Sequence, residues 1–377
     1  MKILFIIYHG FSEYSGISKK IIAQANGLRE NGHEVHICTY IVDRDGSRKR
    51  MADEEAIANY GNGMMAKIKK RCCYGSILRY MERKQIDMVY VRSFHNANPF
   101  TIHLFKKIKS RGVKVVMEIP TYPYDAEYRG ADWRTKLNLQ IDKLFRKALA
   151  GQTDLIVTFS NEQSIFGQRA VCISNGIDFT TIPVRTLSSH HQKEIHLIGV
   201  AEVHYWHGYD RLIHGLGIYY EGKPEKEIFF HIIGNIDPPE MLGSLQAPGF
   251  QSYIRQYDIE KYVIFHKPQY GDKLDALFNE ADFAIGSLGR HRTGIRNIKT
   301  LKNREYAARG IPFIYSETDS DFDTMPYIIK APADESPIDV KQIIDFISRE
   351  TGSPENIRKS IQHLSWKVQM EKVINAV

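Results

Sequence analysis

Thirteen consecutive residues, Arg290 to Lys302 (Arg-His-Arg-Thr-Gly-Ile-Arg-Asn-Ile-Lys-Thr-Leu-Lys), carry six basic side chains and no acid. Positive charge gathered in this way suits a phosphorylated ligand. The run leads into a helical pattern that ends at Arg309-Gly310, followed by Pro312 and an apolar strand. Thr300 suits the N-cap of that helix, which would bring the helix N-terminus, Lys302 and Arg304 near one anion. Three other segments have the makings of ligand loops. His9 to Gly16 joins an apolar strand to a helix, and Gly16 would let backbone approach a ligand. Ile173-Ser-Asn-Gly-Ile-Asp178 contains a turn signal. Val200-Ala-Glu-Val-His-Tyr-Trp-His-Gly-Tyr-Asp-Arg-Leu-Ile213 runs from a strand end through a polar loop into a helix. None of these is a GxGxxG or a Walker loop, so neither a dinucleotide nor ATP is specified.

The elements that must position these loops are legible as an alternation. Ile3 to Tyr8, Val35 to Thr39, Asp87 to Arg92, Lys114 to Glu118, Asp154 to Phe159 and Ala170 to Ile173 are short apolar runs separated by amphipathic stretches. Uninterrupted apolar strands alternating with helices imply parallel sheets covered on both faces. The pattern pauses at Pro183 to Lys193, a polar stretch that reads as a linker. It restarts with strands at Ile195 to Val200, Ile228 to Ile233, Val263 to His266, Phe283 to Gly286 and Phe313 to Tyr315, with a helix over Asp210 to Tyr220. The organisation expected is a doubly wound α/β domain over 1–182, a linker over 183–193 and a second such domain over 194–353. A C-terminal helix over 354–377 follows, crossing back to the first domain. Ligands in such folds bind at the carboxyl ends of the strands.

Composition narrows the partners. The chain has 377 residues, a formal charge of +7, 43% hydrophobic and 25% charged residues, which suits two folded domains. The positive excess is local: Arg44 to Lys114 holds 17 Lys plus Arg against 6 Asp plus Glu. An anionic partner is implied, and no nucleic-acid recognition motif is present. Cys38, Cys72, Cys73 and Cys172 have no zinc spacing and read as reduced thiols, which suits a cytoplasmic protein. No apolar run reaches the roughly 18 residues of a membrane span. The basic stretch 64–84 is instead a candidate contact with an anionic membrane surface, holding the protein peripherally on the inner face of the cytoplasmic membrane.

In order along the chain, the glycine loop, Asn175-Gly-Ile-Asp178, the restart at Val200-Ala201, His207-Gly-Tyr-Asp210 and Glu305-Tyr-Ala-Ala-Arg-Gly-Ile-Pro312 resemble the retaining nucleotide-sugar glycosyltransferases of family 4. Glu118-Ile-Pro-Thr-Tyr-Pro-Tyr-Asp125 and Trp206-His-Gly-Tyr-Asp-Arg211 resemble the branch used in bacterial surface-polysaccharide synthesis. The resemblance implies a GT-B fold: two Rossmann-like domains facing a central cleft. It also implies transfer of a sugar from a nucleotide diphosphate-sugar to a glycan or lipid-linked acceptor, without metal or further cofactor. Two alternatives stand beside it: a nucleotide-sugar epimerase or hydrolase of the same fold, and a catalytically silent nucleotide- or glycan-binding protein.

Residue roles follow from the same resemblance. Glu305 matches the second of two family glutamates eight positions apart and would bind the ribose hydroxyls; the first falls at Asn297. An Arg and a Lys that usually clamp the diphosphate are replaced by Glu202 and His207, and a protonated His207 could still meet a phosphate. Compensation could come from Lys302, Arg296, Lys299 or Arg292. Gly16, Gly234, Asn235, His266, Pro268, Thr300 and Leu301 complete the implied donor site, with the base near the last strand ends. On the acceptor side stand His95, Asn96, Tyr122, Tyr124, Asp125 and Glu127, Asp125 being the candidate for a catalytic part.

Overall fold

Lys2–Ile6 (β1) is apolar at four consecutive positions, so it buries both faces and takes the middle of a sheet. The computed structural model describes residues 1–11, 16–93, 96–125, 132–186, 194–236, 241, 248–349 and 352–377. They form two units, Met1–Gly176 with Leu364–Val377, and Ile177–His363. In the first unit β1 lies parallel to both Glu34–Val42 (β2) and Met88–Arg92 (β5). The sheet runs outward through Lys114–Ile119 (β6), Leu155–Thr158 (β7) and Gln168–Cys172 (β9), with Ser164–Ile165 (β8) antiparallel at that edge. At the other edge Arg48–Ala52 (β3) and Glu55–Gly61 (β4) add an antiparallel extension. The alternation of side chains decides the two cores. Leu4, Ile6, Val89 and Val91 pack on one face; Ile3, Phe5, Met88 and Tyr90 pack on the other. The helices are Gly16–Glu30 (α1), Gly63–Cys72 (α2), Gly75–Lys84 (α3), Pro99–Lys109 (α4) and Trp133–Ala150 (α5).

The second unit is a six-stranded, wholly parallel sheet. Its strands are Glu194–Val200 (β10), Glu227–Ile233 (β11), Val263–His266 (β12), Phe283–Ile285 (β13), Phe313–Tyr315 (β14) and Ile328–Lys330 (β15), in the order β12-β11-β10-β13-β14-β15. The chain moves to one side of β10 for β11 and to the other for β13. The carboxyl ends of β10 and β13 therefore flank a topological switch point, where open α/β sheets place their ligands. The helices are Tyr209–Glu221 (α6), Phe250–Tyr257 (α7), Asp272–Glu280 (α8), Leu301–Arg309 (α9), Val340–Ser348 (α10) and Pro354–Ser360 (α11). The chain end is not one helix. A break separates α11 from Trp366–Ala376 (α12), whose start is capped by the Ser365 side chain accepting from the Val368 N–H. Trp366, Met370 and Val373 of α12 join the first unit's core with Ile21 and Leu28 of α1. Of the polar stretch 183–193, residues 187–193 lie outside the described residues. Arg185 is tied to the second unit, its N–H to the Arg309 carbonyl at 2.9 Å. Among the described residues no helix is long and apolar enough to cross a membrane.

Parallel register sets three histidines of the second unit in a ladder across β10, β11 and β12. His196 Nδ1 lies 3.0 Å from His231 Nε2, and His231 Nδ1 lies 3.0 Å from His266 Nε2. Each link needs one N–H and one lone pair, which three neutral rings in a common tautomer supply. Burial, then the neighbouring rings, lowers its pKa to about 4. Unfolded, it would titrate near 6.5. Stability is then fully present above about pH 6.5 and is lost as the pH falls toward 4, by at most about 1.4 kcal/mol per pH unit. Denaturant titrations at pH 7 and pH 5 should show a loss in the wild type that is smaller in His231→Leu; equal losses would contradict this account.

Candidate donor site in the second unit

The loop after β10 carries the first site residues. Gly208 has φ +63, and a Cβ there would meet the Gly289 nitrogen at 2.6 Å, so only glycine lets these two loops close on each other. The Leu288 N–H donates to the His207 carbonyl at 2.8 Å, which stitches the loop after β10 to the loop after β13. Arg211, nearly fully buried, secures the same junction by donating to the Leu288 and Pro332 carbonyls. Gly234, at the end of β11, has φ +137, and a Cβ there would collide with the Ala201 carbonyl oxygen. Next to it the Asn235 carbonyl accepts from the Val203 N–H at 2.7 Å.

Helix α9 brings the second set. Thr300 caps it, its hydroxyl accepting from the Asn303 N–H at 3.4 Å. Tyr306 fixes the helix to the sheet: its hydroxyl donates to the Ile285 carbonyl at 3.0 Å and accepts from the Val200 N–H at 3.2 Å. Arg304 anchors it from the side through Asp319, with contacts of 2.6 and 3.1 Å. Lys302 is thereby held over the switch point, donating to the buried Tyr209 hydroxyl at 3.2 Å. Burial first, then the Arg290 charge, lowers its pKa to about 7.

Opposite Lys302 is Glu317, which follows β14 and is 2% exposed. Its Oε1 accepts from the Asn303 amide at 3.4 Å, and its Oε2 has no hydrogen-bond partner. Burial raises its pKa to about 7, against the lowering influence of Arg290 and Lys302. Two oppositely charged groups, both displaced toward neutrality and one with an unsatisfied oxygen, make this a candidate functional site.

His207 is buried, and its Nδ1 accepts from the His204 N–H at 3.0 Å, which leaves the proton on Nε2. Burial, then Lys302 and Arg290, drives its pKa far below the ordinary histidine value. The expected protonated His207 is thus corrected: the ring is neutral, and Nε2–H is its donor. The basic loop divides. Arg292 is consumed by Asp210 (2.7 and 3.0 Å) and Glu335 (2.6 and 3.0 Å), and Lys299 faces Asp321 at 3.4 Å. Arg290 and Lys302 remain the cations acting on His207 and Glu317, while Arg296 is exposed. Glu305 is partly exposed and accepts from Arg309 at 3.1 Å. Glu202, Asn297 and Leu301 are exposed, and Pro268 is partly so. His266 gives its Nε2 to the histidine ladder.

The remaining expected residues lie in the first unit. Gly16 opens α1, and among the described residues a Cβ there would meet nothing within 4 Å. Asp125 is engaged by Arg146 at 2.8 Å and Lys143 at 3.3 Å, and the Arg146 contact foremost holds its pKa down. The Tyr124 hydroxyl donates to Asp142 at 2.6 Å, and Tyr122 packs edge-on against Phe166. Asn96 lines a cleft of this unit. His95 and Glu127 lie outside the described residues. Glu317 was missed in the sequence, where it is one acid among several after a strand; its burial is what singles it out. Among the described residues no three His, Cys, Asp or Glu side chains converge as a metal site.

No protein-family profile and no curated protein matches this chain. Solved structures do. A glycosyltransferase from Rickettsia africae superposes with a TM-score of 0.63 at 12% identity, over 99% of this chain and 97% of that one. WaaG, a glycosyltransferase involved in lipopolysaccharide biosynthesis, gives 0.56 at 13% identity over 99% and 98%. A trehalose-6-phosphate protein from E. coli bound with UDP-2-fluoro glucose gives 0.57 at 12% identity over 100% and 98%. The fold is that of the GT-B glycosyltransferases.

Since Glu317 holds its proton more tightly folded than unfolded, its contribution to stability is full below about pH 4.5 and is lost as the pH rises through 7. Glu317→Gln removes the buried charge. The variant should gain stability over the wild type at pH 8.5 relative to pH 5, by on the order of 2–3 kcal/mol in denaturant titrations. A pH-independent difference would contradict the buried-carboxylate assignment.

Proposed function

We propose that the protein transfers a sugar from a nucleotide diphosphate-sugar, held by the second unit, to a glycan or lipid-linked acceptor held by the first. The observation that carries this reading is the arrangement at the switch point of a GT-B fold. Lys302, Arg290 and His207 Nε2–H are gathered at the carboxyl ends of β10 and β13, with Glu317 as a buried acceptor beside them. Breaking the anomeric carbon–oxygen bond leaves negative charge on the departing diphosphate. Fixed cations and N–H donors in a partly dehydrated site stabilise that charge without reorganising. Glu305 and Glu317 accept hydrogen bonds from ribose and sugar hydroxyls.

Asn297 cannot supply the carboxylate that the resembled family carries there. The backbone compensates: Asn297 pairs with Thr318 in an isolated parallel bridge, and the Ile298 N–H donates to the Thr318 carbonyl at 3.0 Å. Glu317, the residue before Thr318, thereby supplies a carboxylate from a different strand end. Transfer proceeds with retention, the acceptor oxygen attacking from the face the diphosphate leaves and a phosphate oxygen taking its proton. That route needs no pair of carboxylates.

The first unit's basic excess supports a resting place on an anionic membrane surface. In α2 the exposed Met64, Met65 and Ile68 alternate with Lys67 and Lys69. Co-sedimentation should favour anionic over neutral vesicles, and equal recovery would remove that part of the reading.

The donor assignment is tested by calorimetric titration with UDP, GDP and ADP. One base should be selected, and Lys302→Met should weaken that ligand at least tenfold, about 1.4 kcal/mol. Absence of binding by all three, or unchanged affinity in the variant, would overturn it.

A further inference from the structure

The first unit contains a cleft of about 540 Å³, within the roughly 300–1,000 Å³ range of small-molecule sites. One wall is cationic. Lys70 and Arg71, at the end of α2, line it beside Tyr8, and among the described residues no carboxylate does. Behind Tyr8 lies Arg50, completely buried in the charged strand β3, which is paired on both sides by β2 and β4. Its guanidinium carbon is 5.6 Å from the Tyr8 ring centroid and 5.9 Å from that of Tyr40. Its polar neighbours are the Tyr60 hydroxyl and the Cys38 thiol; among the described residues no carboxylate pairs with it, and its three guanidinium nitrogens make no hydrogen bond of normal geometry. Lys70 Nζ sits 3.6 Å from the centroid of the same Tyr40 ring. Burial, then Arg50 and Arg71, lowers the Lys70 pKa to about 8, so the cations oppose one another. A buried arginine without a counter-ion is costly, and an arriving anion would relieve that cost.

The acids and the helix end nearby are already engaged. Asp142 of α5 accepts from the Ala97 N–H at 3.1 Å and the Tyr124 hydroxyl at 2.6 Å. The first N–H groups of α4 are taken by the Asn98 side chain, at 2.9 Å to Phe100 and 3.1 Å to Thr101. An anion here would therefore be held by side-chain cations, not by a helix terminus. The Tyr8 hydroxyl, which is buried, has the Asn96 side chain as a neighbour but makes no hydrogen bond of normal geometry. The opposite wall is apolar: Leu139 and Ile141 of α5 and Phe100 of α4, the last half-exposed. The apolar surface continues along α5 in the exposed Leu137 and Leu144.

We propose that this cleft binds an amphiphile with a phosphate head and an apolar chain, the phosphate on the Lys70 and Arg71 side and the chain along Phe100 and Ile141. Arg50 supports the head from behind Tyr8 as a fixed positive charge. That such a molecule is the sugar acceptor rests on the transfer reading above; that it binds does not. A neutral glycan would leave the cationic wall uncompensated, and a free phosphate would leave the apolar wall uncovered.

The test is calorimetry on the whole protein, without nucleotide, using octyl phosphate, octyl glucoside and inorganic phosphate below any micelle-forming concentration. Octyl phosphate should bind at least tenfold more tightly than either of the others. Lys70→Glu and Ile141→Asp change partly exposed positions, so their folding can be confirmed by an unchanged melting temperature. Each should weaken octyl phosphate at least tenfold, and Ile141→Asp should leave inorganic phosphate unaffected. Equal affinity for octyl phosphate and octyl glucoside, equal affinity for octyl phosphate and inorganic phosphate, or variants that bind like the wild type would each overturn the proposal. Because no donor is present, failure here leaves the donor assignment standing, and failure of the nucleotide panel leaves this site standing.

Discussion

Everything proposed for the second unit depends on two opposite charges kept in a place that favours neither. Lys302 and Glu317 are both partly desolvated, and both are shifted to about neutral pH. A closed ion pair would have locked them together and left nothing for a ligand. Instead α9 is fixed mainly by other groups: Tyr306 on the sheet, Arg304 on Asp319, Thr300 at the cap. The helix is rigid without the use of its functional side chain, which is the usual logic of preorganisation. A diphosphate and a sugar hydroxyl would satisfy what the fold leaves unsatisfied.

The first unit follows the same logic with one sign of charge. Arg50, Lys70 and Arg71 are brought near one another by β3 and the end of α2, and the surrounding acids are turned to other partners. In both units, uncompensated charge sits beside the carboxyl ends of parallel strands. There the loops are free of sheet hydrogen bonding and available for ligands.

Much of the fold was legible in the sequence because buried parallel strands need unbroken apolar runs. β1, β5, β10 and β11 are read directly from such runs, and α9 from Thr300 to Gly310. β3 was not legible: Arg-Lys-Arg-Met-Ala has no apolar alternation, and it becomes a strand only because β2 offers an antiparallel edge. The break between α11 and α12 was missed because helical periodicity persists across it. The histidine ladder depends on interstrand register, which no local pattern reveals. Within the site, Lys302 and Thr300 were marked by the basic run and the helix start, and Glu305 by the family resemblance. The neutral state of His207, the engagement of Arg292 and Asp125, and the burial of Glu317 all depend on tertiary neighbours.

The central claim is that the second unit holds a nucleotide diphosphate-sugar against Lys302, His207 and Glu317. A crystal structure of the protein soaked with the nucleotide diphosphate it binds would test this most directly. The account predicts the diphosphate within hydrogen-bond reach of Lys302 Nζ and His207 Nε2, at the carboxyl ends of β10 and β13. A nucleotide bound elsewhere, with Lys302 and His207 untouched, would contradict it.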